Sequence, residues 1–77
     1  MARLLVIDDE KAILDLVKNG LEKDGHIVTV CESVADVTIN ALKNYDLILL
    51  DIMMPDVDGF MFCKKIRGIV DCPILFL

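Results

Sequence analysis

The chain has 77 residues, of which 56% are apolar and 27% charged, and it carries a formal net charge of −5. That length holds one domain at the small end of the range, where buried surface barely offsets chain entropy, and the composition excludes a disordered or fibrous chain. The largest basic cluster is Lys64, Lys65 and Arg67, which excludes attraction to a phosphate backbone as the main business of the segment, so no direct nucleic-acid contact is expected.

Leu4-Leu5-Val6-Ile7 is a continuous apolar run that stops on Asp8-Asp9-Glu10, the pattern of a strand buried on both faces that ends at solvent. From Lys11, the positions Ile13, Leu14, Val17 and Leu21 fall at helical spacing, and Asp24-Gly25 supplies the stop. Gly20 sits inside this first helix and weakens it by about 1 kcal/mol relative to Ala. Ile27-Val28-Thr29-Val30 is β-branched throughout and predicts a second strand. Ser33-Val34-Ala35-Asp36 resembles a capping box with Asp in place of Glu, so a second helix is expected from Ser33. Its inward positions are Val34, Val37, Ala41 and Leu42, with Asn44 as a left-handed terminator. Asp46-Leu47-Ile48-Leu49-Leu50 is a third buried strand with Asp51 at its carboxyl end. A loop over 52–58, a third helix from Gly59 to about Arg67 with Phe62, Cys63 and Ile66 on one face, and a fourth strand in Pro73-Ile74-Leu75-Phe76-Leu77 complete the pattern.

Strands alternating with single helices form βαβ units, whose right-handed crossovers make the sheet parallel and put helices on both faces. Cys31, Cys63 and Cys72 are odd in number and widely spaced, so zinc and a disulfide framework both fail. Reduced thiols in a cytoplasmic protein are expected, with Cys63 packed as a small hydrophobe. Met1 leads directly into a strand pattern without the features of a signal peptide. The longest apolar runs, such as Leu47 to Leu50, fall far short of the ~20 residues that span a bilayer, so no membrane partner is expected.

Ligands of parallel sheets sit outside the carboxyl ends of the strands. If the first and third strands are neighbours, Asp8, Asp9 and Asp51 converge there. Two carboxylates about 4 Å apart repel by about 1 kcal/mol in water and about 4 kcal/mol at an effective dielectric of 20. No Arg or Lys is among the residues that end those strands, so a hard divalent cation is expected, Mg²⁺ first among them. Nucleotide cofactors are disfavoured, because Asp8-Asp9-Glu10 stands where a phosphate-binding loop needs glycines. The bland alternative is that Asp9 only caps the first helix. A metal-neutralised carboxylate at a strand end can also act as a nucleophile toward phosphorus, which suits Asp51. Pro55 and Gly59 read as loop-shaping residues.

The run Asp51-Ile52-Met53-Met54-Pro55-Asp56-Val57-Asp58-Gly59, preceded by Leu49-Leu50 and followed by Lys64-Lys65-Ile66-Arg67, resembles the phosphoacceptor segment of two-component receiver domains. Asp8-Asp9-Glu10 after Leu4-Leu5-Val6-Ile7 resembles the acidic pair of the same family, and the resemblance runs from Arg3 to Leu77. It implies a flavodoxin-like three-layer fold with strand order 2-1-3-4, the first four strands of the order 2-1-3-4-5 known for a chemotaxis member of the family. It implies Asp51 as phosphoacceptor, Asp9 as a direct Mg²⁺ ligand, Asp8 as a ligand through water and Met53 as a ligand through its backbone carbonyl. The donor implied is a sensor histidine kinase, and Asp-Ile-Met-Met-Pro is closest in style to transcriptional regulators of the winged-helix class. Such a chain is a phosphoacceptor with some phosphotransfer contribution of its own, and not a classical enzyme.

The family places a Ser or Thr after the fourth strand and a Lys at the end of the fifth, and the sequence stops before both. Residues 1–77 are therefore expected to be an incomplete receiver domain without its last helix-strand-helix portion and without an output domain. Tyr45 reads as a partly exposed packing residue and His26 as a strand-entry residue without an acidic partner. An open fourth strand and a bare sheet face of Val6, Ile48 and Leu75 would favour self-association. The alternatives are a folding fragment or engineered building block, and a phosphohydrolase of the haloacid-dehalogenase type. The latter needs a second aspartate two residues after the nucleophile, where this chain has Met53.

Overall fold

The computed structural model describes residues 1–54 and 58–77, and describes positions 36 and 39 through their backbone alone. Its elements are β1 (Arg3–Ile7), α1 (Lys11–Lys23), β2 (Ile27–Cys31), two 3₁₀ segments (Val34–Asp36 and Ile39–Asn44), β3 (Leu47–Leu50), α2 (Gly59–Arg67) and β4 (Ile74–Phe76). The four strands form one sheet in the order β2-β1-β3-β4 with every pairing parallel, as expected. Pro55, expected to fix the loop, lies outside the described residues.

Alternation along the central strands sorts their side chains into two layers. Leu4 and Val6 pack with Leu14 of α1 and Val28 of β2 on one face. Leu5, Ile7, Ile48 and Leu50 pack on the other with Leu42, Phe62 and Ile66. Because both faces are covered, Leu4 to Ile7 are all buried, which is why this strand is uniformly apolar instead of alternating. Tyr45 and Cys63 pack half-buried against the second cluster, as expected of them.

α1 ends where the sequence places its stop. Gly25 takes φ +88, and the N–H groups of Gly25 and His26 donate to the carbonyls of Glu22 (3.0 Å) and Leu21 (3.3 Å). This is the Schellman pairing, which needs a residue free of a Cβ in the left-handed region. The turn delivers His26 to the start of β2, where its Nδ1 accepts the N–H of Ala2 at 3.1 Å.

Two expectations are corrected here. The segment after β2 is not an α-helix from Ser33 but two short 3₁₀ pieces, separated by Val37 and Thr38 in extended conformation (φ −88, ψ 123 and φ −86, ψ 122). Val34, Val37, Thr38 and Ile39 are β-branched and Asn40 and Asn44 are poor helix formers, so the local cost of an α-helix outweighs its apolar pattern. Ser33 does cap the first piece, accepting the Ala35 N–H at 3.1 Å. Asn44 does not terminate it in a left-handed turn, since among the described residues glycine alone has positive φ.

The second correction concerns the bare face. Val6 and Ile48 are fully buried. They point to opposite layers, and α1 covers the first while Leu42 and Ile66 lie in the cluster with the second. The exposed apolar residues include Leu16, Leu75 and Leu77. A shallow groove of about 440 Å³ between α1 and the sheet is lined by Leu16, Val17, Leu21, Leu49 and Leu77.

Candidate functional site

Parallel pairing sets the site. β1 and β3 are neighbours with Ile7 opposite Leu50, so the residues that follow each strand leave the sheet together. Asp8 N–H still donates to Cys31 O (3.1 Å) and Asp51 N–H to Ile7 O (2.9 Å), which anchors both aspartates by their backbones at the carboxyl rim. One carboxylate oxygen each from Asp8, Asp9 and Asp51 lies within 4.8 Å of the other two. The three acidic residues expected to converge do so.

The three differ in surroundings. Asp8 is 4% exposed, Asp51 is half-buried and Asp9 is exposed. Asp8 Oδ1 accepts the N–H of Glu10 at 2.9 Å, and Asp51 Oδ1 accepts the N–H of Met53 at 2.8 Å. Each aspartate thereby closes the turn that it begins, a use of Asp that local sequence makes available wherever a strand ends on it. Neither bond was anticipated from sequence, although an Asp opening a turn is itself the signal for one. Asp9 does not cap α1, since the N-cap position is Glu10 and no side chain there bonds the helix. Met53 leaves its side chain 80% exposed while its backbone stays at the site. At the far end of the loop Asp58 caps α2, accepting from Phe60 N–H (2.9 Å) and Met61 N–H (3.3 Å). Gly59 is pressed against Ile52, where a Cβ would stand 2.7 Å from Ile52 Cα.

The charges do not balance within the site. Burial is the main cause that raises the Asp8 pKa above its ordinary 3.8, the Glu10 N–H offsets part of this, and the negative charges of Asp51 and Asp9 raise it further. A carboxyl whose folded pKa is raised binds its proton more tightly folded than unfolded, so stability falls as pH climbs from about 3.8 through the raised value. Asp8→Asn keeps an oxygen for the Glu10 N–H and removes the charge. The variant should therefore melt higher than the parent at pH 7 without divalent cations, and the difference should vanish below about pH 3.8, where Asp8 is protonated in both states. Thermal melts at the two pH values check this; equal melting temperatures at pH 7 would show that the charge is not costly.

Hard oxygen donors in an acidic cluster suit a hard divalent cation. The ligands of octahedral Mg²⁺ stand about 2.1 Å from the ion, hence up to ~4.2 Å from each other. The separation limit of 4.8 Å leaves room for two direct carboxylate ligands with the third acting through water.

Comparison with known proteins gives the arrangement its context. The family model described as the response regulator receiver domain matches residues 4–77. The chain belongs to that family. This receiver chain is 54% identical over 77 residues to the transcriptional regulatory protein SpaR of Bacillus subtilis, covering 100% of the chain and 35% of SpaR. Among solved structures, it matches a two-component response regulator from Clostridium difficile with a TM-score of 0.89 at 34% identity, over 99% of this chain and 64% of that one. It matches the chemotaxis protein CheY4 of Vibrio cholerae with a TM-score of 0.85 at 30% identity, over 99% and 67%. The receiver chain spans about a third of the length of the curated relatives it matches. Its sheet order and layers are those of the flavodoxin-like receiver fold. Among the described residues, no helix is long and apolar enough to cross a membrane.

Proposed function

We propose that this receiver chain takes a phosphoryl group from the phosphohistidine of a sensor histidine kinase onto Asp51, as the regulatory part of a cytoplasmic, DNA-binding response regulator. The observation that carries the reading is the convergence of Asp8, Asp9 and Asp51 at one strand rim. In the transfer, the phosphorus–nitrogen bond of the donor breaks, an oxygen of Asp51 forms the new bond to phosphorus, and the histidine nitrogen leaves with the electron pair. Asp9 and Asp51 would hold Mg²⁺ directly, Asp8 through water and Met53 through its backbone carbonyl. Bound there, Mg²⁺ supplies positive charge beside the transferring group. Asp51 is kept in place by its backbone bond to Ile7 and its side-chain bond to Met53. Family membership makes the chain a signalling module, and SpaR, a transcriptional regulatory protein by name, supports the placement in a gene regulator.

The reading is tested by exposing a polypeptide that continues through the fifth strand to acetyl phosphate with and without Mg²⁺ and measuring intact mass. One phosphoryl group should be gained with Mg²⁺ alone, and no gain overturns the reading. Mg²⁺ titration followed by amide NMR should shift Asp8, Asp9, Asp51 and Met53, and Asp9→Ala should weaken the affinity at least tenfold, roughly what one lost charged ligand is worth.

Self-association through β4 is part of the same proposal. Leu75 and Leu77 are exposed, and β4 lies at the end of the strand order, a position open to pairing with a second copy. Sedimentation at micromolar concentration should show a dimer that Leu75→Lys dissociates. A parent that sediments as a monomer removes this part and leaves phosphotransfer untouched.

A further inference from the structure

Two exposed phenylalanines meet beside the acidic rim. Phe60 in the first turn of α2 and Phe76 at the end of β4 place their ring centroids 5.1 Å apart at 63°, an edge-to-face contact. They are 59% and 43% exposed, so burial alone does not explain the pairing, whereas ring quadrupoles favour this geometry. Their attachment points flank Asp51. Phe76 pairs in register with Leu50, the residue before Asp51, and the next N–H, that of Leu77, donates to Leu50 O at 3.0 Å. Phe60 follows Gly59, whose backbone closes on Ile52, the residue after Asp51. The ring contact thus completes a circuit from Leu50 through Asp51 and Ile52 to Gly59 and Phe60, then across to Phe76 and back to Leu50.

We infer that the Phe60–Phe76 pair is a positioning device for Asp51, clamping the first turn of α2 to β4 and so holding the turn in which Asp51 Oδ1 accepts the Met53 N–H. The two rings touch no reacting atom; they act through the backbone on either side of the aspartate. The inference rests on the proposed function only for what Asp51 does, since the clamp itself is a claim about geometry. Met53 is the natural reporter, because its amide is bonded to the Asp51 carboxylate and its side chain is out in solvent.

The experiment compares Phe60→Ala, Phe76→Ala, the double variant and Phe60→Tyr in the full chain by amide NMR, hydrogen exchange and Mg²⁺ titration. Each Ala variant should lower hydrogen-exchange protection at Met53 and weaken Mg²⁺ binding by about three- to tenfold, the size of effect an aromatic pair can exert. The double variant should be no worse than either single one, and Phe60→Tyr should restore both values. Should an Ala variant fail to fold, Phe76→Leu removes the ring while keeping an apolar β4 side chain, and the same losses are expected. Unchanged Met53 protection in a folded variant lacking either ring overturns the inference. So does an equal loss of protection across the β1 and β3 amides, because that would mark a general loss of stability. A parent chain that ignores Mg²⁺ counts against the proposed function, while the Met53 comparison still decides the clamp.

Discussion

Asp51→Asn should abolish phosphoryl incorporation from acetyl phosphate while leaving the fold intact. The carboxamide oxygen can still accept the Met53 N–H that Asp51 Oδ1 accepts at 2.8 Å, so the turn survives. What is lost is the anionic oxygen that, in the proposed transfer, would attack phosphorus, and one of the three acidic oxygens gathered within 4.8 Å. Removing one of three mutually repelling charges should also leave stability without Mg²⁺ unchanged or raised. Intact mass after treatment, together with a thermal melt, measures both effects. Gain of a phosphoryl group by the Asn variant at the parent's rate would move the acceptor to another residue; Asp8 and Asp9 stand next to it. The resemblance implies further phosphoryl contacts, a Ser or Thr after the fourth strand and a Lys at the end of the fifth, so the comparison is most sensitive in a polypeptide that continues through the fifth strand.

Leu50→Ala should be the most damaging truncation in the sheet. Leu50 is fully buried in the cluster that joins β1, β3, α2 and the second 3₁₀ segment. It also precedes Asp51. Leu-to-Ala changes at such positions cost about 2–5 kcal/mol, more where the surroundings cannot close on the cavity. Domains hold roughly 0.05–0.15 kcal/mol per residue, which puts a chain of this length near 4–12 kcal/mol in total. The variant should therefore lose a large part of its stability, and its population should be partly unfolded at 37 °C. Leu49→Ala is the matched control, since Leu49 is only half-buried on the opposite layer and should cost less than half as much. Urea midpoints of the two variants decide the matter; equal costs would mean that the cluster around Leu50 is not the main core.

The sequence made most of this legible where one physical signal dominated. Leu4 to Ile7 and Leu47 to Leu50 are unbroken apolar runs ending on aspartates, and both strands and the convergence of Asp8, Asp9 and Asp51 follow from them. Asp24-Gly25 placed the end of α1, because a left-handed residue after a helix has few chemical solutions. α2 runs from Gly59 to Arg67 as expected. Two features were out of reach. Between Val34 and Asn44, helical periodicity and weak helix propensity disagreed, and the backbone followed propensity. The bare face was assigned to Ile48 because a strand's phase relative to its neighbours is not visible in a run that is apolar at every position. The register, which places Leu49 beside Val6 and Leu75, settles it. At the site, the bond from Glu10 to Asp8 and the Phe60–Phe76 contact depend on chain geometry that no spacing encodes.

The strand order has a consequence for when the site comes into being. Asp8 and Asp9 lie on the first crossover unit, but their partner belongs to β3, which docks on β1 through contacts such as Arg3 with Asp46, 43 residues apart. Closing that loop carries an entropic cost that the local β1-α1-β2 unit does not bear, and pairings of such high contact order form late. On a ribosome the first half of the chain can collapse before Asp51 has emerged. An ion that needs all three carboxylates would therefore bind after the topology is complete, and its binding energy would add to the stability of the finished sheet alone. Metal affinity would then report whether β3 has inserted, and the same three acids that repel one another during assembly would become, with an ion bound, a latch on the last strand to join the centre.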